Sequence, residues 1–366
     1  MTPDASALEE RLIALGKALI DQHRARVVVA PNAAESGFWF GGGNMVQAEG
    51  SLYLAGRYRN AGDSRVGVAA GTRGLELAIF RSADRGETFE KVASWAKSDL
   101  SAGDASVLSI EGAALHVGPM GVQLFVSTEK DGVGYPAGFE DYLKPGTGVW
   151  SIDRLAAPDF ASLRDAVVGP FLSSNDPEHL HIKDPFVYES AAGQLTMLYC
   201  SHPFSWSSSN TGYVPVTDGV ASESVPDFFP RGTTWDVAMT RGTAVVDVPL
   251  VGLFSDSRAR LVFYCGGECV RNLDEHLSAV KRPRGYSCEE LGGLAWLPEP
   301  GFGRPERLSR YEPMFVSPHG TGCSRYVDVL TTDDGMYATW QQSQPDGSQP
   351  LVMNFLPSHE ITDILS

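Results

Sequence analysis

One pattern recurs along the chain and limits what it can fold into: a polar residue, usually acidic, precedes a short apolar run, a turn and a second apolar run. The pattern starts at Asn44, Glu111, Asp184, Asp247 and Glu312. Successive starts are spaced by roughly 65 residues, which suits a four-stranded sheet with its connections. Five such units predict an all-β, five-bladed β-propeller in which the first strand of each blade lines a central channel.

The N-terminal segment has a different periodicity. Leu8, Leu12, Leu15 and Leu19 form one apolar stripe at helical spacing, and Ser6 with Glu9 matches a capping box. We therefore predict a helix over 6–24 that packs on the outside of the main fold. The expected organisation is an N-terminal helix within 1–25 and one propeller domain over 26–366, with a candidate helix near 159–168.

Two further stretches favour blades. The sequence "SADRGETF" at 82–89 fits the Asp-box pattern, in which Asp and Gly close a hairpin between the two outer strands of a blade and the aromatic residue fills it. The strand at Val27–Val29 is expected to join the last blade and close the ring, which would hide the sheet edges.

Composition argues against several classes of protein. The net charge of −16 disfavours nucleic acid and anionic membranes as partners. The sequence has no run of 18 apolar residues, so no transmembrane helix is predicted. The N-terminal residues lack the apolar core of a signal peptide, so a cytoplasmic location is expected. The five cysteines are odd in number, and Cys265-x3-Cys269 lacks a second pair of zinc ligands, so we expect free thiols, no metal and no cofactor.

The pattern starts place carboxylates where a shared pocket would form. Glu111, Asp184, Asp247 and Glu312 would meet at one mouth of the channel. Paired carboxylates hydrolyse glycosides: one protonates the leaving oxygen, and the other activates water or attacks the anomeric carbon. The acid needs a raised pKa, which neighbouring negative charge and partial burial supply. Glu290 is a further candidate, although only one member of the Glu289–Glu290 pair could face the channel.

Arginine and tryptophan residues are the candidates for substrate binding. The segment "GRYRNAGDSRVG" carries Arg57, Arg59 and Arg65, which form either a solvated loop or a site for hydroxyls or an oxyanion, because the guanidinium fork matches carboxylate and phosphate. Trp39 precedes a Gly41–Gly43 turn, and Trp206 lies in the Ser-rich stretch "SHPFSWSSSNTGY". Aromatic side chains at the rim of such a pocket can stack on sugar rings, or they can belong to the core.

Two of these motifs resemble a known group of enzymes. "IEGAALHVGPMGVQLFVS" and "KDPFVYESAAGQLTMLYC" resemble the Glu-Gly and Asp-Pro blade openings of the five-bladed furanosidase-type glycoside hydrolases, which include family 43 arabinofuranosidases and xylosidases and family 32 invertases. The resemblance spans the blade pattern over 40–345. It implies hydrolysis of a furanoside or related small glycoside, with Glu111 as the acid and Asp184 and Glu312 as base, nucleophile or tuning group.

The chain departs from these families in two ways, which leaves alternatives open. Asn44 stands where their first blade carries Asp, and would hydrogen-bond substrate, as Asp247 would. In addition, Glu111 precedes the Asp-Pro motif along the chain. A carbohydrate-binding propeller without hydrolysis is one alternative. A sialidase-like hydrolase of an acidic sugar is another, which the arginines and the Asp-box pattern favour. In each case the expected partner is a small carbohydrate, and the oligomeric state is left open.

Overall fold

The five predicted units are five antiparallel sheets. The structure, a computed structural model, describes residues 5–60, 74–103, 105–268, 290–298 and 302–366. Each unit's apolar runs pair with one another through short turns, and the innermost strands of neighbouring sheets contact each other in a ring around one axis. The prediction of a five-bladed β-propeller is therefore confirmed.

The strands of the described residues, numbered in chain order, divide among the blades as follows. Blade I has β2 (Trp39–Gly41), β3 (Met45–Ala48), β4 (Ser51–Arg59), β5 (Glu76–Ser82) and β6 (Glu90–Ala96). Blade II has β7 (Val107–Gly118), β8 (Gly121–Lys130), β9 (Val149–Ala157) and β10 (Gly169–Leu172). Blade III has β11 (His181–Glu189), β12 (Leu195–His202), β13 (Asn210–Thr217), β14 (Val220–Ala221) and β15 (Val225–Phe229). Blade IV has β16 (Met239–Asp247), β17 (Ala259–Gly267), β18 (Leu291–Pro298) and β19 (Glu306–Arg307). Blade V has β20 (Ser324–Thr332), β21 (Gly335–Gln342), β22 (Leu351–Pro357) and β1 (Arg26–Val29).

The ring closes through the first strand. As the sequence predicts, β1 pairs antiparallel with β22, with Arg26 opposite Met353, and is the outermost strand of blade V. The turn at 82–89, between β5 and β6 of blade I, lies against this blade: the hydroxyl of Tyr337 donates to the carbonyl of Arg85 at 3.1 Å. Within the turn, Asp84 accepts the amide of Thr88 at 3.0 Å.

Two helices pack together on the outside of blades IV and V. Helix α1 (Ala5–Leu19) buries the predicted leucine stripe in the same core as Trp340. It ends before residue 24 because Asp21 accepts the amides of His23 and Arg24 at 2.9 and 3.2 Å, which starts a turn. Helix α2 (Ser358–Leu365), which the sequence did not predict, adds Ile361 and Leu365 to that core. None of the helices described here is long and apolar enough to cross a membrane.

The candidate helix near 159–168 is only a single 3₁₀ turn, Leu163–Asp165. The other described 3₁₀ turns are Lys97–Leu100, Glu140–Tyr142, Pro177–His179 and Gly252–Phe254. Of the cysteines, Cys200 and Cys265 are buried free thiols, as predicted, whereas Cys269 and Cys288 lie outside the described residues.

Polar side chains on the innermost strands join neighbouring blades. The amide group of Asn44 accepts from the backbone N–H of Leu115 at 2.7 Å and donates to its carbonyl at 2.9 Å, which links blades I and II. Asp328 accepts the N–H of Met45 at 2.7 Å and links blades V and I. Burial raises the pKa of Asp328 from 3.8 to about 7, although the hydrogen bonds from Met45 and Val329 act to lower it.

This pKa predicts a pH-dependent stability that Asp328→Asn should remove. Because the pKa in the folded state is above that in the unfolded chain, the contribution is fully present below about pH 4 and is lost as pH rises through about 7. Relative to wild type, the variant should therefore gain stability between pH 5.5 and pH 8, by on the order of 2 kcal/mol. Urea unfolding at both pH values measures this, and equal pH dependence in the two proteins would contradict it.

Candidate functional site

A local irregularity repeated in every blade shapes the mouth of the channel. In blades II to V the pairing between the innermost strand and its neighbour shifts register, and in blade I the innermost strand is interrupted between β2 and β3. These sites are Gly42–Asn44, Glu111–Gly112, Asp184–Pro185, Thr243 and Tyr326–Val327. A bulge sets two residues against one on the partner strand, so it re-aims side chains that regular pleating would turn away.

A small cavity marks the place where the five bulges meet. Its volume is about 20 Å³, and its lining includes one residue from each blade: Gly42, Gly112, Asp184, Gly242 and Tyr326. A cavity of this size holds about one water molecule. Small residues from three blades therefore bring the chain close to the axis, and the other two blades supply a carboxylate and a phenol.

Asp184 is the most constrained side chain of the site. Its φ of +51° lies in the left-handed region, which Asp tolerates better than most residues. It is 6% exposed, and its Oδ1 accepts the N–H of Gly112 at 3.1 Å. Its Oδ2 is buried and has no hydrogen-bond partner among the described residues. Backbone strain together with an unsatisfied buried acceptor is typical of a functional position.

Glu111 is held by an arginine from the neighbouring blade. The Nη2 atom of Arg57, on β4, lies 2.6 Å from Oε2 of Glu111, and both side chains are buried. The glycine of the Glu-Gly motif has a packing role: a Cβ at residue 112 would lie 2.8 Å from both Cα and Oδ1 of Asp184. The motif therefore reflects close approach of blades II and III as well as any chemistry.

Glu290 is shared by two arginines that the sequence reasoning did not single out. Its Oε1 lies 2.8 Å from Nη1 of Arg241 and 3.1 Å from Nη1 of Arg325. Burial acts to raise the pKa of Glu290, but the charges of Arg241, Arg325 and Lys183 outweigh it and lower that pKa to about 2. The carboxylate therefore stays ionised and neutralises the arginines at the start of β16 and β20.

Tyr326 occupies the bulge of blade V and is the second strained residue at the axis, with φ at +52°. Its hydroxyl accepts from Nη2 of Arg57 at 3.5 Å. Burial raises the pKa of Tyr326 well above its ordinary value, and the charges of Asp184 and Glu290 act in the same direction. The phenol is therefore protonated at neutral pH and keeps a proton to donate.

The rim of the mouth is aromatic. The guanidinium carbons of Arg59 and Arg325 each lie 4.1 Å from the centre of the Trp39 ring system, so Trp39 holds two arginines in place by cation–π contacts. On the other side, Trp206 stacks on His181 with ring centres 3.9 Å apart and an interplanar angle of 24°. Burial lowers the pKa of His181 to about 3, so this histidine is neutral.

The structure brings most of the predicted site residues together. Glu111, Asp184, Arg57 and Glu290 lie close enough for their charges to interact, and Trp39 and Arg59 are connected to them through Arg325. Trp206 reaches the cluster through Lys183, whose Nζ lies 5.6 Å from its ring centre. Asn44 lines the small cavity, but its amide is engaged by Leu115. Arg65 lies outside the described residues.

Two predicted positions are not at the mouth, and the sequence register assigned to them is wrong. Asp247 is the last residue of β16, whereas Thr243 of the same strand lines the cavity. Asp247 therefore lies roughly 13 Å further along, at the opposite end, where it accepts from the hydroxyl of Tyr188 at 2.9 Å. Glu312 is exposed in the connection between β19 and β20 and does not begin an innermost strand. In blade V that place belongs to Arg325 and Tyr326.

The residues that sequence reasoning missed share one signal. Lys183, Arg241 and Arg325 are cations placed within the first three residues of a buried innermost strand. Other strands also carry cations, among them Arg154 and Arg260, so this feature alone would not have identified the three. His202, at the end of β12, completes the group: burial and the charges of Arg241 and Lys183 lower its pKa well below the ordinary value.

A larger groove lies away from the axis. It has a volume of about 910 Å³ and runs along the outer strands of blades III and IV, where Tyr213, Phe228 and Phe302 line it. Among the described residues that line it, there is no ion-paired cluster like the one at the mouth. In the part of the chain that the structure describes, no group of three or more His, Cys, Asp and Glu side chains is arranged to hold a metal ion.

Comparisons with known proteins place the fold. Neither the models of protein families nor the curated protein sequences include a match. Among solved structures, the chain is similar to a glycoside hydrolase (11% identity, 96% of this chain and 95% of that one, TM-score 0.63). It is also similar to an α-L-arabinofuranosidase from Lactobacillus brevis (10% identity, 89% of this chain and 92% of that one, TM-score 0.55). A third similar structure is a thermostable family-43 glycoside hydrolase (10% identity, 89% of this chain and 91% of that one, TM-score 0.51). The expected fold resemblance is confirmed.

The shared use of Glu290 predicts a large loss of stability in Glu290→Gln. The substitution keeps the shape but removes the negative charge that Glu290 places against the buried Arg241 and Arg325, which should cost about 3 kcal/mol or more. Glu312→Gln is the matched control, because Glu312 is exposed, and it should stay within about 0.5 kcal/mol of wild type. Denaturant unfolding of the three proteins tests the network, and similar values for both variants would contradict it.

Proposed function

We propose that the protein is a glycoside hydrolase that acts at the channel mouth, with Asp184 as its reacting carboxylate. The observation that carries the proposal is the state of this side chain. It is buried and strained, and its Oδ2 has no hydrogen bond among the described residues. A substrate at the mouth would give this oxygen a partner. In the chemistry of glycosidases it would take a proton from water or attack the anomeric carbon.

The remaining groups of the site take supporting roles. Glu111 is ion-paired with Arg57, and Glu290 with Arg241 and Arg325, whose charges keep Glu290 ionised. A general acid must carry a proton, so Glu290 does not suit that role. The hydroxyl of Tyr326 is protonated and lines the same cavity as Asp184. It is the group that would donate to the leaving oxygen.

The comparisons support this proposal at the level of a shared architecture. The three similar structures are described as glycoside hydrolases, one of them of family 43, and as an α-L-arabinofuranosidase. Their likeness covers about nine-tenths or more of each chain. The proposed substrates are therefore small glycosides, with furanosides among the first to examine.

A carbohydrate-binding propeller without hydrolysis is the second candidate. It is favoured by the pairing of Glu111 and Glu290 with arginines, and by blade I, which offers Gly42, Gly43 and Asn44 at its bulge and no carboxylate. Such a protein would bind sugars at the mouth and release them unchanged. Binding without turnover across a broad set of glycosides would favour this candidate.

Asp184→Asn tests the proposal directly. Asn also tolerates the left-handed backbone and can keep the hydrogen bond to Gly112, so the fold should survive. The variant should lose roughly 10²–10⁴-fold in kcat on any aryl glycoside that the wild type hydrolyses, because the reacting carboxylate is gone. The measurement is a screen of aryl furanosides, pyranosides and sialosides, with melting curves for both proteins.

Asp247→Asn is the matched control for this experiment. It makes the same chemical change on an innermost strand, but at the far end of the channel, and should leave kcat unaltered. Equal activity of Asp184→Asn and wild type would remove Asp184 from the mechanism. A series of substrates with different leaving groups then tests Tyr326 as the proton donor. Tyr326→Phe should lose more kcat on glycosides with poor leaving groups than on activated ones.

A further inference from the structure

Lys183 and Asp184 are consecutive residues that both contribute to the channel mouth. In a regular strand they would face opposite sides, but the register of β11 shifts between Lys183 and Phe186. The Nζ of Lys183 lies 3.8 Å from Oδ2 of Asp184, which is longer than a hydrogen bond. In the other ion pairs described at the mouth, nitrogen and oxygen are 2.6 to 3.1 Å apart: Arg57–Glu111, Arg241–Glu290 and Arg325–Glu290. The Lys183–Asp184 pair therefore differs from them in having a gap between its charged groups.

The surroundings of both side chains maintain this gap. The ammonium group of Lys183 lies 5.3 Å from the centre of the Trp150 ring system and 5.6 Å from that of Trp206, so aromatic rings flank it. The carboxylate of Asp184 is fixed through Oδ1, which accepts the N–H of Gly112 at 3.1 Å. The two groups therefore face each other at a distance that a direct hydrogen bond does not close.

Both groups have hydrogen-bonding capacity that the described residues leave unused. The Lys183 ammonium can donate three hydrogen bonds, and among the described residues it has no acceptor within hydrogen-bond distance. The Oδ2 atom of Asp184 accepts no hydrogen bond from them either. Both residues are less than 10% exposed, and a buried donor or acceptor without a partner is costly. A ligand group that bonds to both atoms at once is therefore favoured in the gap.

A hydroxyl group has the chemistry that the gap requires. It accepts one hydrogen bond and donates another, so it can bond to the ammonium and to the carboxylate together. Two hydrogen bonds of about 2.8 Å each can bridge atoms that are up to about 5.6 Å apart, which includes the 3.8 Å between Nζ and Oδ2. A carboxylate or phosphate would be repelled by Asp184, and an ammonium group would be repelled by Lys183.

We propose that Lys183 determines substrate specificity at the mouth: together with Asp184 it binds one hydroxyl group of the sugar. The inference rests on the proposed function, since it names a further residue that recognises the glycoside taken by the same site. Asp184 can serve both purposes, because each carboxylate oxygen has two acceptor positions. One position of Oδ2 accepts the sugar hydroxyl, and the other faces water or the anomeric carbon.

Equilibrium binding of deoxy sugars tests this separately from hydrolysis. Isothermal titration calorimetry first determines which of three probes wild type binds most tightly: methyl α-L-arabinofuranoside, methyl β-D-xylopyranoside or methyl β-D-galactopyranoside. It then compares that parent glycoside with its monodeoxy analogues, each of which lacks one hydroxyl group. One analogue should bind about tenfold or more weakly than the parent, because it loses hydrogen bonds to two charged groups.

Lys183→Met assigns this loss to the lysine. The variant keeps the length and apolar contacts of the side chain but cannot donate to the hydroxyl. The loss of affinity for that one deoxy analogue, relative to the parent, should therefore be smaller than in wild type by about threefold or more. The losses for the other deoxy analogues should equal those of wild type.

Two more variants complete the series. Lys183→Gln keeps a polar end group, and its loss should lie between those of wild type and Lys183→Met, because a neutral amide donates a weaker hydrogen bond than an ammonium. Lys144→Met is the matched control, since Lys144 is exposed, and it should keep every wild-type loss. Melting curves should show that all variants are folded. The inference is overturned if no parent glycoside binds, if no single analogue shows the tenfold loss, or if both Lys183 variants keep that loss in full.

The hydrolytic function and the hydroxyl site can fail independently. If wild type hydrolyses none of the aryl glycosides but gives the binding results above, the hydrolytic function fails and the hydroxyl site stands. If wild type hydrolyses a glycoside with full dependence on Asp184, yet the Lys183 variants keep the wild-type losses, the hydrolytic function stands and the hydroxyl site fails.

Discussion

Crowding at the axis is the constraint on which the rest of this propeller depends. Five innermost strands converge there, and a cavity of about 20 Å³ is all that remains between Gly42, Gly112, Asp184, Gly242 and Tyr326. Regular pleating would send every second side chain into that space. The bulges resolve the conflict: they let backbone or glycine approach the axis in three blades and give the other two a strained Asp and Tyr. The chemistry of the mouth therefore follows from how the strands are fitted together.

The ion pairs at the mouth explain why a count of carboxylates is a poor guide to mechanism in this fold. Glu111 and Glu290 are as central as Asp184, yet each serves mainly to keep an arginine charge in the interior. A buried arginine without a partner is costly, so these glutamates contribute to stability as much as to a site. Asp184 differs because its ion-pair partner is Lys183, whose Nζ lies 3.8 Å from Oδ2, beyond hydrogen-bond distance. That difference depends on a hydrogen-bond pattern, which composition and spacing do not reveal.

The repeat was readable from the sequence because apolar runs and turns recur with a regular period, and it placed Glu111 and Asp184 correctly. It failed for Asp247 and Glu312 because an acidic residue before an apolar run also occurs at strand ends and in exposed connections. In blades IV and V, Arg241 and Arg325 lie at the mouth. The sequence reasoning looked for acidic residues at these positions and therefore missed both arginines. Their partner Glu290 lies on the connection into β18, so only the folded chain brings the three together.

The pairing of β1 with β22 has a consequence for how the chain reaches its native state. Almost the entire described sequence separates these two strands, so their contact carries a large loop-closure entropy. During synthesis β1 leaves the ribosome long before β22 has been made. Blade V, and with it the ring of blades, cannot be completed until then. High contact order of this kind slows folding, and a rearranged chain that joins β22 directly to β1 would make this one pairing local.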